Sequence, residues 1–248
     1  MYFDLRGKKA LVTGSSRGIG RGIALGLAES GADIFVNYAG NDAAAKETYD
    51  MITALGRKCT LVKEDLTHDK CAENLYNMTG DVDILVLNAS IQYRKKWEEI
   101  TIEEFETQIN CNLRATMLLI QKYAPYMKKQ KWGRIVTIGS VQEAKPHDEM
   151  LVYASSKAAQ TLMAKSIAFQ LAGSGITVNN IAPGTIYTDR NVEALSDENY
   201  RKVVLSKIPC GYFGKPEHFK GIIKLLCSEE GEYITGQNIF VDGGMSIK

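Results

Sequence analysis

Tyr153 and Lys157 stand four residues apart, so on a helix their side chains share one face. A phenol beside an ammonium is a candidate acid/base pair. A tyrosine of ordinary pKa, about 10, is a poor base at neutral pH, and a nearby cation favours its phenolate. Spacing alone is weak support. With 12 tyrosines and 30 Lys+Arg in 248 residues, about 1.5 such pairs arise by chance, and Tyr2–Arg6 is a second one. Ser140 adds weight, because it ends an apolar β-branched run and the loop after it leads into the Tyr153 segment.

A second group is the run Thr13-Gly14-Ser15-Ser16-Arg17-Gly18-Ile19-Gly20, which follows the first apolar run and opens a helical pattern. Glycines let a backbone turn tightly and approach a pyrophosphate. The helix that follows offers unpaired N–H groups to the phosphates. Metal chemistry has no comparable support. The five cysteines (59, 71, 111, 210, 227) and three histidines (68, 147, 218) show no zinc-site spacing, and no metal is expected.

Elements that could position these groups follow from the apolar pattern. Short apolar runs fall at 10–13, 34–37, 60–62, 84–87, 135–138, 177–181 and 239–241. Runs of this length suit parallel strands covered on both faces. Between them lie helical patterns: one after Gly20 stopping at Gly31, one ending at Leu55, one opened by a Thr101–Glu104 capping box and reaching toward Lys129, and one from Tyr153 to Leu171. This alternation predicts an α/β chain with a doubly wound, seven-stranded parallel sheet and helices on both faces. No linker or internal repeat interrupts 1–248, so a single domain is expected. The polar segment 188–216 is longer than an ordinary connection and reads as a substrate lid. Strand C-terminal ends bind ligands in such sheets, which brings Ser140 and Tyr153 beside the glycine turn.

Composition narrows the function classes. Hydrophobic residues make up 45%, and 30 Lys+Arg against 29 Asp+Glu leave a net charge of +1. That balance argues against a sequence-blind binder of nucleic acid or anionic membrane. No apolar run approaches 18 residues and the N-terminus shows no secretory pattern. Scattered unpaired cysteines suit a reducing compartment, so a cytoplasmic protein is expected.

The glycine spacing is G-x-x-x-G-x-G behind Thr13, and from there the chain resembles the short-chain dehydrogenase/reductase family over its whole length. Asp65-Leu66, Asn88-Ala89-Ser90, Asn112, Ser140, Tyr153 with Lys157, Pro183-Gly184 and Asp242-Gly243-Gly244 stand where the family's motifs stand. Two residues depart from the pattern. Leu87 and Ser90 replace the first Asn and the Gly of N-N-A-G, and a local packing change is expected there. The resemblance implies a Rossmann fold that transfers hydride between a nicotinamide and a carbonyl or alcohol. It implies Tyr153 as acid/base, Ser140 as hydrogen-bond partner of the substrate oxygen, and Lys157 as holder of the nicotinamide ribose. It also implies Asn112 as support for a proton-carrying water. For the cofactor it implies contacts from Gly14, Ser15, Ser16, Arg17, Gly18, Ile19, Gly20, Asn37, Asp65, Leu66, Asn88, Ala89, Tyr153, Lys157, Pro183, Gly184, Ile186 and Thr188. A homotetramer paired through 101–129 and 153–171 is implied as well.

No acid follows the second strand before Asp42, and Arg17 is free to meet a 2′-phosphate, so NADP is expected over NAD, which remains possible. The loop 142–150 is polar and charged, which suits a hydroxyl-bearing small molecule. With Glu143 as its expected substrate contact, this loop, Pro183-Gly184-Thr185-Ile186 and Ile208-Pro209-Cys210-Gly211-Tyr212 resemble bacterial glucose 1-dehydrogenases. 3-Oxoacyl-carrier-protein reductases share the same core and stay open as the alternative. Glu143, Asp148 and Glu149 against Lys145 would repel an acidic carrier, which favours the sugar. A non-catalytic NADP sensor is a third reading, against which the retained Tyr153 and Lys157 speak.

Overall fold

A computed structural model describes residues 2–247. Its strands are β1 (Lys9–Val12), β2 (Asp33–Tyr38), β3 (Cys59–Lys63), β4 (Ile84–Leu87), β5 (Gly133–Ile138), β6 (Ile176–Pro183) and β7 (Asn238–Val241). Its α-helices are α1 (Gly18–Glu29), α2 (Asp42–Ala54), α3 (Cys71–Thr79), α4 (Ile102–Ile109), α5 (Ala115–Gln130), α6 (Leu151–Leu171), α7 (Asp189–Val192), α8 (Glu198–Ser206) and α9 (Lys220–Cys227). The strands form one sheet in the order β3-β2-β1-β4-β5-β6-β7, every neighbouring pair parallel. The order reverses between β1 and β4, and a crevice at such a reversal is where doubly wound sheets take ligands.

Alternation along the strands explains why the sheet is covered twice. Leu11, Leu85, Leu87, Ile135 and Val178 enter one core with Leu75 of α3, Leu119 and Tyr123 of α5 and Ala164 of α6. Ala10, Val12, Ile84, Val86, Val136 and Ile181 enter the other with Ile23 and Leu27 of α1 and Ile223 and Leu226 of α9. Successive strand residues point to opposite faces, so apolar side chains at both parities need both faces packed.

The Thr101–Glu104 capping box forms as expected. Between α4 and α5 the helix widens into one π-turn over Asn110–Arg114, which carries Asn112. Such turns inside α-helices are frequent at functional sites. The apolar pattern left α3 and α9 unnamed. The segment 188–216 holds α7 and α8, and its Leu195, Val204 and Ile208 pack on Val141, Phe213 and Met245 in a third, small core. Among the described residues no helix is long and apolar enough to cross a membrane.

Candidate active site

β1 ends at Val12 and the glycine turn carries the chain straight into α1. Gly14 has φ +60°, and a Cβ there would lie 2.8 Å from Ala89 Cα, so only glycine fits between the β1 and β4 loops. At Gly20 a Cβ would fall 2.5 Å from Asn88 Nδ2. Asn88 locks the turn: its amide donates to Thr13 O and Gly14 O, both at 2.9 Å. Asn37 does the same from β2. Its Oδ1 accepts from Gly14 N at 3.2 Å, and its Nδ2 donates to Val62 O and Glu64 O. Both residues line the cavity, but their side-chain donors hold the turn instead of reaching for a ligand. Ser15 corrects the sequence expectation outright. It is buried, its hydroxyl donates to Val12 O at 2.7 Å, its N–H donates to Asn37 O, and it does not line the cavity.

The cavity measures about 1030 Å³ and runs along the C-terminal ends of β1, β2, β4, β5 and β6. At one end lie Gly14, Ser16, Arg17, Gly18, Ile19 and Gly20, with Asp65, Leu66 and Ala89 across from them. No side chain caps the N-terminus of α1, so its first-turn N–H groups stay open to an acceptor. The open first-turn N–H groups, facing the cavity from a turn whose glycines carry no side chain, fit a pyrophosphate. Beyond β2, Tyr38, Ala39, Gly40 and Asn41 line the cavity, while Asp42 is drawn to Lys63 at 2.9 Å and does not. Asp65 accepts from the Thr67 N–H and hydroxyl through one carboxylate oxygen, leaving the other unengaged.

Toward the other end the same cavity meets Ser140, Tyr153 and Lys157. Ser140 follows β5, and its Oγ accepts from Gln142 N at 3.2 Å, which leaves its hydroxyl proton free to donate. Tyr153 and Lys157 sit on α6, with Lys157 Nζ 5.9 Å from the Tyr153 ring centre. Lys157 is 1% exposed. Its ammonium donates to Ile138 O at 2.6 Å and Gln160 Oε1 at 3.1 Å, and one of its three donors remains. Burial, and then the Arg190 cation, hold its pKa down to about 7. Gln160 donates to Thr116 Oγ1, which donates to Asn112 O. The Asn112 amide is clamped to both backbone groups of Ile91 and to Ser156. Asn112 does not line the cavity and meets it through that chain of contacts.

Pro183, Gly184, Ile186 and Thr188 line the exit of β6. Over the opening, Asp189 of α7 meets Arg17 at 3.3 Å and Arg190 donates to Ser90 O at 2.7 Å and Ser90 Oγ at 3.0 Å. The Ser90 departure is therefore more than local packing: it gives the 188–216 segment a second acceptor.

Glu143 is the clearest correction. Its carboxylate turns inward, taking the Asn238 amide and the Thr161 hydroxyl at 2.7 Å, and it does not line the cavity. Gln142, His147, Arg94 and Lys207 do. The acidic balance of 142–150 is also undone in space. Arg94 meets Glu149 at 2.6 Å and Lys96 meets Asp148 at 3.7 Å, both arriving from the loop after β4.

Known proteins resemble this chain along its full length. A family model described as enoyl-(acyl carrier protein) reductase matches residues 14–246. A 3β-hydroxysteroid dehydrogenase 1 of Eggerthella lenta is 34% identical over 100% of this chain and 97% of its own. A 3-oxoacyl-[acyl-carrier-protein] reductase of Aquifex aeolicus is 36% identical over 99% and 100%. Glucose 1-dehydrogenase 2 of Bacillus subtilis is 35% identical over 100% and 98%. Among solved structures, a 3-oxoacyl (acyl-carrier-protein) reductase from Agrobacterium tumefaciens with NADP bound superposes with a TM-score of 0.93, at 35% identity over 97% of this chain and 95% of that one. A gluconate 5-dehydrogenase from Burkholderia cenocepacia, in complex with NADP and tartrate, superposes with a TM-score of 0.91, at 30% identity over 99% and 98%. With the fold, the glycine turn and the Ser140, Tyr153 and Lys157 placement, these matches make the chain a member of the short-chain dehydrogenase/reductase family of oxidoreductases.

Proposed function

We propose that the protein is an NADP(H)-dependent oxidoreductase acting on a secondary alcohol, or the matching ketone, of a sugar-derived molecule. The observation that carries the substrate reading is Gln142. It lines the cavity four residues past the end of β5, and its Oε1 is buried with no hydrogen-bond partner. A buried acceptor of this kind is costly unless a ligand donates to it, and a substrate hydroxyl would do so.

The chain's own groups then divide the work. Ser140 donates its hydroxyl proton to the reacting oxygen, and Tyr153 gives that oxygen a proton or takes one from it. The third Lys157 donor is placed for a ribose hydroxyl. The bound nicotinamide supplies or accepts the hydride. Arg17, with no carboxylate competing from the end of β2, pairs with a 2′-phosphate. The segment 188–216 acts as a lid tied down through Asp189 and Arg190. In this reading residues 1–248 act as one domain, and the exposed apolar side chains of α6 pair copies into a homotetramer.

A second reading, reduction of 3-oxoacyl thioesters on an acidic carrier, is favoured by Arg94, which lines the cavity, with Lys95 and Lys96 next to it in the loop, all three shared with the carboxylates of Glu149, Glu104 and Asp148. Absorbance at 340 nm separates the two. The sugar reading expects NADP(H)-coupled turnover on members of a panel of hexoses, pentoses, polyols and sugar acids, well above that on 3-oxoacyl thioesters. Turnover on the thioesters alone overturns it.

A further inference from the structure

Beyond the reacting pair, apolar side chains such as Val141, Leu195, Val204 and Met245 line the far end of the cavity, and the polar side chains among them are mostly donors. Arg94 enters from the loop after β4, His147 from the loop after β5, and Lys207 from the end of α8. Lys207 forms no ion pair among the described residues. Arg94 is shared with Glu149, but Glu149 does not line the cavity and Arg94 does. His147 Nδ1 accepts from the Glu149 N–H at 3.1 Å, which leaves its Nε2–H to donate. Burial and the Arg94 and Lys207 cations keep this imidazole neutral against the pull of Asp148 and Glu149. Glu193 is the one carboxylate lining that end, and the acceptor of Gln142 is the other exception.

We propose that this end selects a polyhydroxylated anion: a carboxylate or phosphate group lies toward Lys207 and Arg94, and a hydroxyl donates to Gln142 Oε1. The proposal rests on the sugar reading above and sharpens it. A neutral polyol offers hydroxyls to His147 and Gln142 but leaves Lys207, which forms no ion pair among the described residues, without a counter-charge. An anionic group completes the set, and facing cations also raise its rate of encounter.

The test measures kcat/KM with NADP+ for gluconate, glucose 6-phosphate, glucose and sorbitol. At least one anion is expected to exceed both neutral compounds, and which one tells carboxylate from phosphate. Lys207→Gln should lower the anion-to-neutral ratio of kcat/KM by about tenfold, the usual effect of losing one charge-assisted contact. Lys207→Arg should restore most of it, and added salt should lower the same ratio. Binding of NADP+ by each variant reports that it is folded. A preference for the neutral compounds, with a ratio that Lys207→Gln leaves unmoved, overturns the proposal while the sugar reading stands. Failure on all four compounds, with turnover on 3-oxoacyl thioesters, overturns both.

Discussion

Arg17 reaches across the mouth of the cavity to Asp189, Nη1 to Oδ2 at 3.3 Å, so the glycine turn and the 188–216 segment are joined. The side chains are 56% and 65% exposed, and an exposed pair of this kind is worth about 0–1 kcal/mol. A phosphate contact is worth more, about 1.5–3 kcal/mol, so a 2′-phosphate paired with Arg17 as proposed is expected to displace Asp189. Arg17→Ala should weaken NADP(H) binding about tenfold or more and change NAD(H) much less. Titration of both cofactors by fluorescence checks this. Equal losses for the two would mean that Arg17 does not meet the phosphate.

Lys157 predicts a pH dependence. Burial lowers its folded pKa to about 7 from an ordinary value of 10.5. Between those values the unfolded chain binds more protons than the folded one, so this residue makes stability rise with pH. Below pH 7 both states are charged and the cost of the buried ammonium is constant. In urea titrations without cofactor, wild type should gain stability relative to Lys157→Met from pH 7 to pH 9.5. A difference between the two that is flat in pH would contradict the lowered pKa.

Glu143→Ala should act on stability first. Removing the carboxylate leaves the Asn238 amide and the Thr161 hydroxyl without their acceptor, at a cost of about 1–3 kcal/mol. Urea denaturation should show that loss. An increase in substrate KM with unchanged stability would return Glu143 to the substrate.

The Glu143 result marks where sequence reading stops. The strand rhythm, the capping box at Thr101 and the glycine turn are local patterns, and their physics is complete within a few residues. Ser140, Tyr153 and Lys157 were legible because strand ends and helix faces follow from those patterns. Glu143 was not, because its direction is set by Asn238, 95 residues away on β7, and by Thr161 on α6. Ser15 differs from Ser16 only by which way the turn points it. The charges of 142–150 looked acidic because their partners, Arg94 and Lys96, come from another loop. Arg94 had one available signal: it lies six residues past Asn88, beyond a strand end that faces the site.

Oligomer formation is the fourth expectation. Leu162 and Phe169 lie seven residues apart on one face of α6 and are 67% and 90% exposed. A second copy covering that face explains two large apolar groups left in water. Light scattering of the native protein should give a tetramer, and Phe169→Asp should shift it toward smaller species. A monomer at micromolar concentration would remove the interface.

The central claim is that Tyr153 carries the proton at the reacting oxygen, with Lys157 and Ser140 beside it in one cavity. The most direct measurement is single-turnover reduction by Tyr153→Phe, with the NADP(H) dissociation constant measured on the same preparation. The account predicts a fall in rate of at least ~10²-fold, the lower end of general acid–base contributions, with the dissociation constant changing far less. A variant that binds NADP(H) normally and turns over near the wild-type rate would contradict it.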